Sequence, residues 1–341
     1  MDFEKEIAVL EKKIAELKKR SSTKGKAEIE SLTAKVEAMH NEQYLHLSPW
    51  QRVQLSRHPE RPYTLDYIEM LFTDFMEFSG DRRFRDDKAV VGGFARFRGK
   101  PVMVIGTQKG RDMKSNLYRN FGWPNPEGYR KAMRLMRLAE KAGVPIVTFI
   151  DTPGAYPGIS SEERHVGEAI AVNLRDMFSL TVPVVSVIIG EGGSGGAIGL
   201  GVGNRVLIME NAYYSVITPE GCAAILWKDK KYAPFAAEAL QLSADRLLAL
   251  GVVDSVIPEP VGGAQRDPAA AAAAVGSAIG ECLNSLRRIS PEKLKEQRYQ
   301  KFRKMGEFEE RSVAEAVASA EKEASASKTP AGSAEGEKEV R

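Results

Sequence analysis

The sequence predicts an α/β protein built on a largely parallel sheet, and three observations carry that expectation. Apolar runs of strand length alternate with amphipathic helical segments from residue 102 to residue 217, the pattern of right-handed crossovers in a layered fold. Residues 184–190 (VVSVIIG) are all apolar or small, as a strand covered on both faces requires, rather than alternating in polarity. The 341-residue chain is 43% hydrophobic, enough to bury a sizeable core in one large domain or two ordinary ones.

Residues 1–45 read as a helical hairpin. Phe3, Ile7, Leu10, Ile14 and Leu17 recur at helical spacing, and after a polar break at residues 21–25 the pattern returns at Ile29, Leu32, Val36 and Met39. Two short seams fall below the ~3 to 4 heptads of a coiled coil. The hairpin therefore packs within its own domain or forms a subunit contact, and the sequence weighs these evenly. Residues 50–67, rich in Arg and Pro, read as an extended connector wrapped on the core. Residues 65–78 read as a helix entered at Thr64 with Asp66 in its first turn.

Residues 89–97 and 102–107 are strand-like, joined by a tight turn at Arg98, Gly99, Lys100 and Pro101. The loop that follows, with Lys109, Arg111, Lys114 and Arg119, has the composition of a phosphate cradle. Charge clusters on loops are usually solvated, and that reading is preferred here. Residues 126–142 form an amphipathic helix with Tyr129, Met133, Met136 and Leu138 on its apolar side and Gly143 as C-cap. Residues 145–150 are a second buried strand, closed by Asp151, which opens the stiff loop DTPGAYPG. A helix over 161–178, with Glu162 and Glu163 in its first turn, leads to the strand at Val184. Beyond it, 205–209 and 213–217 are short strands, 219–227 begins a helix, and 240–250 and 252–257 add a helix and a last strand. Residues 268–288 and 291–303 are helical. Over 306–341 Glu, Ala, Ser and Lys dominate, so this tail is expected to be solvated and to fray into disorder.

Composition excludes several classes. A formal charge of +3 makes no case for specific nucleic-acid binding or an anionic membrane. Cys222 and Cys282 stand far apart without close Cys or His partners, so no disulfide framework or zinc site is expected on this chain, and a reducing compartment fits best. The N-terminus is charged from its second residue and no uninterrupted apolar run reaches ~18 residues, so neither a signal peptide nor a membrane span is expected. A cytoplasmic location follows.

The chemistry concentrates in residues 183–205, where Gly190, Gly192, Gly193, Gly195, Gly196, Gly199, Gly201 and Gly203 crowd the exit of the buried strand. A glycine-rich entry to a helix offers unpaired N–H groups with the positive end of the helix dipole behind them, which suits an anion or a developing oxyanion. Ligands of α/β proteins sit beyond the C-terminal ends of such strands. Residues 192–196 also match Gly-x-Ser-x-Gly, the elbow of α/β-hydrolases. That fold needs a histidine after the serine, and His40, His46, His58 and His165 all precede Ser194, which is read as a small turn residue. Asp-x-x-Gly at Asp151 suggests a GTPase, but no phosphate-binding Gly-Lys-Ser/Thr loop accompanies it. Gly190-x-Gly192-x-x-Gly195, with Glu210 twenty residues on, matches a dinucleotide fingerprint. The crossover of about eight residues is shorter than the usual ~10 to 12, yet this reading stays open as an alternative. The glycines also serve simple close packing, and both roles are compatible.

The strings HPERPYTLDYI, VVGG, TQKGR, RNFG with PEGYRKAMRLM, FIDTPGAYPG, GEGGSGGAIGLGVGN, YSVITPEGCAAILWKD and IPEPVGGAQRDP stand in order along the chain to about Met305. Together they closely resemble the carboxyltransferase alpha subunit of bacterial and plastid multi-subunit acetyl-CoA carboxylase. The resemblance implies a crotonase-like fold of repeated β-β-α units over residues 46–305, behind the N-terminal helical hairpin. It implies an assembly of two alpha and two beta subunits, in which the beta subunit carries a zinc ribbon and most of the acetyl-CoA pocket. The other implied partners are biotin carboxylase and the biotin carboxyl carrier protein. The implied reaction moves the carboxyl group of carboxybiotin, held on the carrier protein, to acetyl-CoA, giving malonyl-CoA for fatty acid synthesis. On this chain it implies Gly195 and Gly196 as backbone donors to the biotin ureido oxygen, with Gly192, Gly193 and Ala197 shaping the approach. Asp151, Pro153, Gly154, Ala155 and Tyr156 would wall the same cavity. No catalytic histidine or acid and no metal is implied on this chain, because biotin freed of its carboxyl group can itself remove the methyl proton.

Overall fold

The structure is a computed structural model and describes residues 5–20 and 25–306. Two helices, α1 (Lys5–Arg20) and α2 (Gly25–Leu45), form the expected hairpin, with Leu10, Ile14, Ile29, Leu32, Val36 and Met39 packed between them. Phe3, the side chain of Ile7 and the tail beyond Gly306 lie outside the described residues.

Next come α3 (Pro49–Ser56), α4 (Thr64–Leu71), β1 (Phe72–Glu77), β2 (Val90–Phe97), β3 (Lys100–Thr107), α5 (Met113–Tyr118), α6 (Pro126–Ala142) and β4 (Ile146–Thr152). They are followed by α7 (Ile159–Glu162), α8 (Val166–Ser179), β5 (Val184–Gly193), α9 (Ser194–Ile198), β6 (Arg205–Met209) and β7 (Tyr213–Ser215). The described chain closes with α10 (Pro219–Leu226), α11 (Ala233–Ala239), α12 (Ala244–Ala249), β8 (Ser255–Ile257), α13 (Pro268–Leu286) and α14 (Pro291–Arg303).

The strands form one mixed sheet in the order β1-β2-β3-β4-β5-β6-β8, with β7 beside the end of β5. β1, β2 and β3 pair antiparallel; every later pair is parallel. The β2-β3-α6 and β6-β7-α10 segments repeat the expected β-β-α unit. β4 and β5 are buried along their whole length, as their apolar runs require. α6 packs on β2 and β3, burying Leu135, Met136 and Ala139, each large side chain contributing roughly 1.5–3 kcal/mol. Gly143 ends this helix in the left-handed region at φ 65°.

The structure corrects several boundaries. The connector over 50–67 is not extended throughout: Ser48 and Gln51 close a capping box and start α3. The helix expected over 65–78 stops at Leu71 and continues as β1. Leu65, Ile68, Phe72 and Phe75 keep helical spacing, so periodicity could not separate the two. The open edge of β2 decides the matter by pairing Phe97 with Phe72, whose ring packs 5.4 Å from the Phe97 ring. The hairpin turn is the two-residue Arg98-Gly99, with φ of 48° and 74°. The helix expected over 161–178 is split into α7 and α8 at His165, which has φ 63°. The helix expected over 240–250 is shortened to α12, which starts only at Ala244 after a separate α11 has ended at Ala239, and the last strand is only residues 255–257.

α13 is the one described helix long and apolar enough to cross a membrane by length and composition, although Ser277, Glu281, Asn284 and Ser285 interrupt its apolar run. Its Ala271, Ala272, Val275, Ile279, Leu283 and Leu286 are buried in the core beside β5 and β8. Arg298 of α14, fully buried, donates to the carbonyl oxygens of Met177, Leu180 and Val182 and so satisfies buried acceptors at and just beyond the C-terminal end of α8. Burial lowers its value to about 10.

Candidate active site

The glycine segment and the DTPGAYPG loop meet at the ends of β5 and β4. The two strands run in register from Ile146↔Val184 to Ile150↔Ile188, then slip so that Thr152 faces Gly192. At the slip the chain bulges around Asp151. Its Oδ1 accepts the Glu191 N–H at 2.9 Å, and its own N–H donates to Thr107 Oγ1 at 2.7 Å. A Cβ at Gly190 would lie 2.6 Å from Asp151 Oδ1, so the bulge needs glycine there.

Beyond the bulge the contact is backbone against backbone. A Cβ at Gly193 would lie 2.1 Å from Pro153 O, and one at Gly196 would lie 2.4 Å from Gly154 C and 2.5 Å from Ala155 N. Gly154 itself has φ 152° with the Trp123 ring behind it. The loop is pinned from below: Thr152 Oγ1 lies 2.7 Å from Gly122 O and accepts the Gly154 N–H at 3.1 Å, while the Tyr156 N–H donates to Pro124 O at 2.9 Å. Ser194 makes the strand-to-helix turn in the left-handed region at φ 53°.

The structure therefore brings Gly193 and Gly196 against Pro153, Gly154 and Ala155, with Gly192 paired to Thr152; Gly195 and Ala197 lie in the same short helix as Gly196 without a contact to that loop of their own. α9 begins at Ser194 without a side-chain cap, so the N–H groups of its first turn at Gly195, Gly196 and Ala197 have no acceptor within the helix. The glycines differ in role. Gly193 and Gly196 permit close approach, whereas a side chain at Gly195 would meet only Ile170 Cδ1 at 3.5 Å, an ordinary contact. On the other side of α9, Ile198 and Gly201 line an apolar cavity of about 430 Å³ with Val206, Tyr214, Val216 and Leu250.

Asp151 is less a free wall than part of a buried charge cluster, and Lys109 is no solvated loop residue. Lys109 Nζ lies 2.6 Å from Asp151 Oδ1 and 2.7 Å from Glu191 Oε2. Glu191 also accepts from Arg57 Nε at 2.7 Å and from the Tyr213 hydroxyl at 3.0 Å, and Arg57 continues to Glu220. Burial opposes the Glu191 charge, but Lys109 and Arg57 outweigh it and hold the carboxyl at about 2. Although burial disfavours its charge, Lys109 is raised above its ordinary value by Asp151 and Glu191. Next to it, fully buried Arg61 pairs with Glu259 through both ends of its guanidinium and donates Nε to Ile189 O at 2.8 Å, satisfying a carbonyl at the bulge.

Sequence reading singled out Lys109 as a surface cation and missed Arg57, Arg61, Glu191 and Tyr213. The available signal was the isolated Glu191 inside an otherwise uncharged strand exit, since a buried carboxylate requires a partner. Arg111 and Arg119 are also engaged, Arg111 with Asp66 and Arg119 with the Lys88 carbonyl. Glu210, the acid in the dinucleotide pattern, accepts the Glu259 N–H at 3.1 Å.

Residues 1–306 match the family model described as acetyl co-enzyme A carboxylase carboxyltransferase-like. Acetyl-coenzyme A carboxylase carboxyl transferase subunit alpha of Chlorobium phaeovibrioides is 55% identical over 327 residues, covering 91% of this chain and 98% of its own length. The subunit of the same name from Thermus thermophilus is 55% identical over 313 residues, covering 91% and 99%. Among solved structures, a Pseudomonas malonate decarboxylase hetero-tetramer in complex with coenzyme A superposes with a TM-score of 0.56 at 14% identity, over 78% of this chain and 99% of that one. Transcarboxylase 12S gives 0.54 at 17% identity, over 75% of this chain and 44% of that one. These structures share the crotonase-like carboxyltransferase fold with this chain. By family model and by sequence identity over nine-tenths of its length, the chain belongs to the acetyl-CoA carboxylase carboxyl transferase alpha subunits.

Proposed function

We propose that this chain holds the biotin half of the reaction that carries the carboxyl group from carboxybiotin, on its separate carrier protein, to the methyl carbon of acetyl-CoA. The observation that carries this reading is the uncapped first turn of α9 seated on residues 153–155. These residues fit a ureido oxygen, because the Gly195 face is open and the nearby N–H groups have no acceptor within α9. Bound carboxybiotin supplies the carboxyl group and, once that is gone, a basic nitrogen for the methyl proton. Gly195 and Gly196 hold the negative charge that gathers on the ureido oxygen, and one such donor is worth about 3 kcal/mol. Gly192, Gly193 and Ala197 shape the approach, and Asp151, Pro153, Gly154, Ala155 and Tyr156 form its wall. The paired cluster around Lys109 keeps that wall in place and moves no proton.

The thioester oxygen and the zinc ribbon belong, on this reading, to a beta subunit in a complex of two alpha and two beta chains, served by biotin carboxylase and the carrier protein in the cytoplasm. The apolar cavity beyond α9, where Val216 and Leu250 are 74% and 60% exposed, supports a partner seated close to the donors.

Malonyl-CoA-dependent carboxylation of free biotin tests the assignment. Turnover is expected with the beta subunit present and not with this chain alone. Ser194→Gly, which removes the hydroxyl and relaxes the turn, keeps turnover. Adding Gly195→Pro deletes one N–H where proline is tolerated, with glycine before it to accept the proline ring, and should lower kcat by ~10²-fold or more without loss of fold. Full activity of the double variant removes the donor role, and nicotinamide binding by the purified chain would restore the dinucleotide reading.

A further inference from the structure

The cleft between α6, α8 and the loop ahead of β2 gathers more positive charge than it neutralises. It encloses about 540 Å³ and is lined by six arginines, Arg82, Arg83, Arg130, Arg134, Arg137 and Arg175, against Asp81, Glu168 and Asp176. Arg130 Nε is engaged by Asp81 at 2.8 Å, and Arg137 and Arg175 share Asp176. Arg134 donates only to carbonyl oxygens, those of Gly80 at 3.0 Å and Ser79 at 3.2 Å, and makes no direct ion pair with a carboxylate among the described residues. The guanidinium groups of Arg82 and Arg83 make no hydrogen bond or ion pair among the described residues.

The loop is built to put them there. Asp81 Oδ1 accepts the N–H groups of Arg83 at 3.0 Å, Phe84 at 2.8 Å and Arg85 at 3.1 Å, a turn that holds Arg82 at φ 63°. Arg82 Nη1 folds back to 3.8 Å from where a Gly80 side chain would begin, beside the carbonyl that Arg134 holds. Burial and the nearby Arg82 together keep Arg134 below its ordinary value, against the weaker opposing pull of Asp81 and Asp86. Guanidinium groups that converge without an anion repel one another, and a multiply charged anion would turn that repulsion into attraction.

We propose that this cleft binds a compact phosphate-bearing ligand through Arg82, Arg83 and Arg134. Several arginine forks around an excess of positive charge match phosphate oxygens better than a single carboxylate. A concave site within the ~300–1,000 Å³ range fits a small molecule, whereas a nucleic acid requires an extended basic stripe. The site is separate from the proposed biotin pocket but shares α8 with it. Ala169 lines the cleft, and the next residue, Ile170, approaches Gly195.

Calorimetric titration of the purified full chain with inorganic pyrophosphate tests the proposal independently of carboxyl transfer. Saturable one-to-one binding is expected. Arg82→Ala should weaken it by about tenfold or more, as loss of one charge-assisted contact implies, and Arg82→Ala with Arg83→Ala should abolish it. Without ligand both variants should melt at or above the temperature of the parent, because they remove unpaired like charges. Displacement of pyrophosphate by coenzyme A but not by dephospho-coenzyme A would identify the 3′-phosphate of the substrate as the source of the ligand. Displacement by neither would identify a separate phosphorylated molecule; both results support the site. Absence of saturable binding, unchanged affinity in the double variant, or preference for duplex DNA over pyrophosphate would overturn it.

Discussion

The exits of β4 and β5 present two neighbouring regions built in opposite ways. In front, Gly193 and Gly196 meet residues 153–155 backbone to backbone, and the first-turn N–H groups of α9 have no acceptor within the helix. Behind, Arg57, Arg61, Lys109, Asp151, Glu191 and Glu259 form a buried cluster in which every charge faces an opposite one. The contrast shows how uncapped backbone N–H groups can be held in place without a rigid side-chain frame of their own. Glycine makes the close approach possible, and the charge cluster fixes the strand ends from which the glycines depart. Paired charges of this kind contribute little net stability over an apolar core, but losing one member leaves the rest buried and unpaired.

The largest test of that division is Lys109→Met, which strands Asp151 in the interior and leaves Glu191 with Arg57 as its one remaining cation. We expect a loss of about 3–5 kcal/mol in urea unfolding, with carboxyl transfer falling in parallel. A loss under about 1 kcal/mol would mean that the front contact supports itself. Next comes Gly196→Ala, whose methyl group collides with backbone at Gly154 and Ala155. It should cost ~1–3 kcal/mol and displace the loop, whereas Gly195→Ala, with open space, should change stability by less than ~1 kcal/mol. Equal effects at the two glycines would erase the distinction between packed and open positions.

The smallest expected effect is in acid. Glu191 is held at about 2 in the fold against an ordinary 4.5, so its stabilisation is complete above about 4.5 and fades as the pH falls toward 2. The unfolding midpoint of the parent should therefore drop more steeply over that window than that of Glu191→Gln. Parallel curves would show that Glu191 is not a stabilising anion.

Much of this arrangement was legible in the residues. The strand at 184–190, the helix over 126–142 and the glycine-rich exit were each visible because burial imposes a local pattern: a continuous apolar run, a helical stripe, or a lack of side chains where chains touch. Phe72 and Phe75 misled because three-residue and four-residue spacing on a short segment serves a helix and an edge strand equally well, and pairing with Phe97 settled it. Lys109 misled for a different reason. Its partners lie 42 and 82 residues away in the chain, and no local pattern announces them.

By itself, then, the sequence determined the α/β class, most of its elements, the glycine-rich exit of the buried strand and, through long matching strings, the family. Tertiary structure alone decided which glycines are packed and which are open, where α4 gives way to β1, and that the cations at Arg57, Arg61 and Lys109 face inward. Composition and periodicity report how each segment meets its surroundings, whereas the sign and position of a distant partner are set only when the sheet brings the strand ends together.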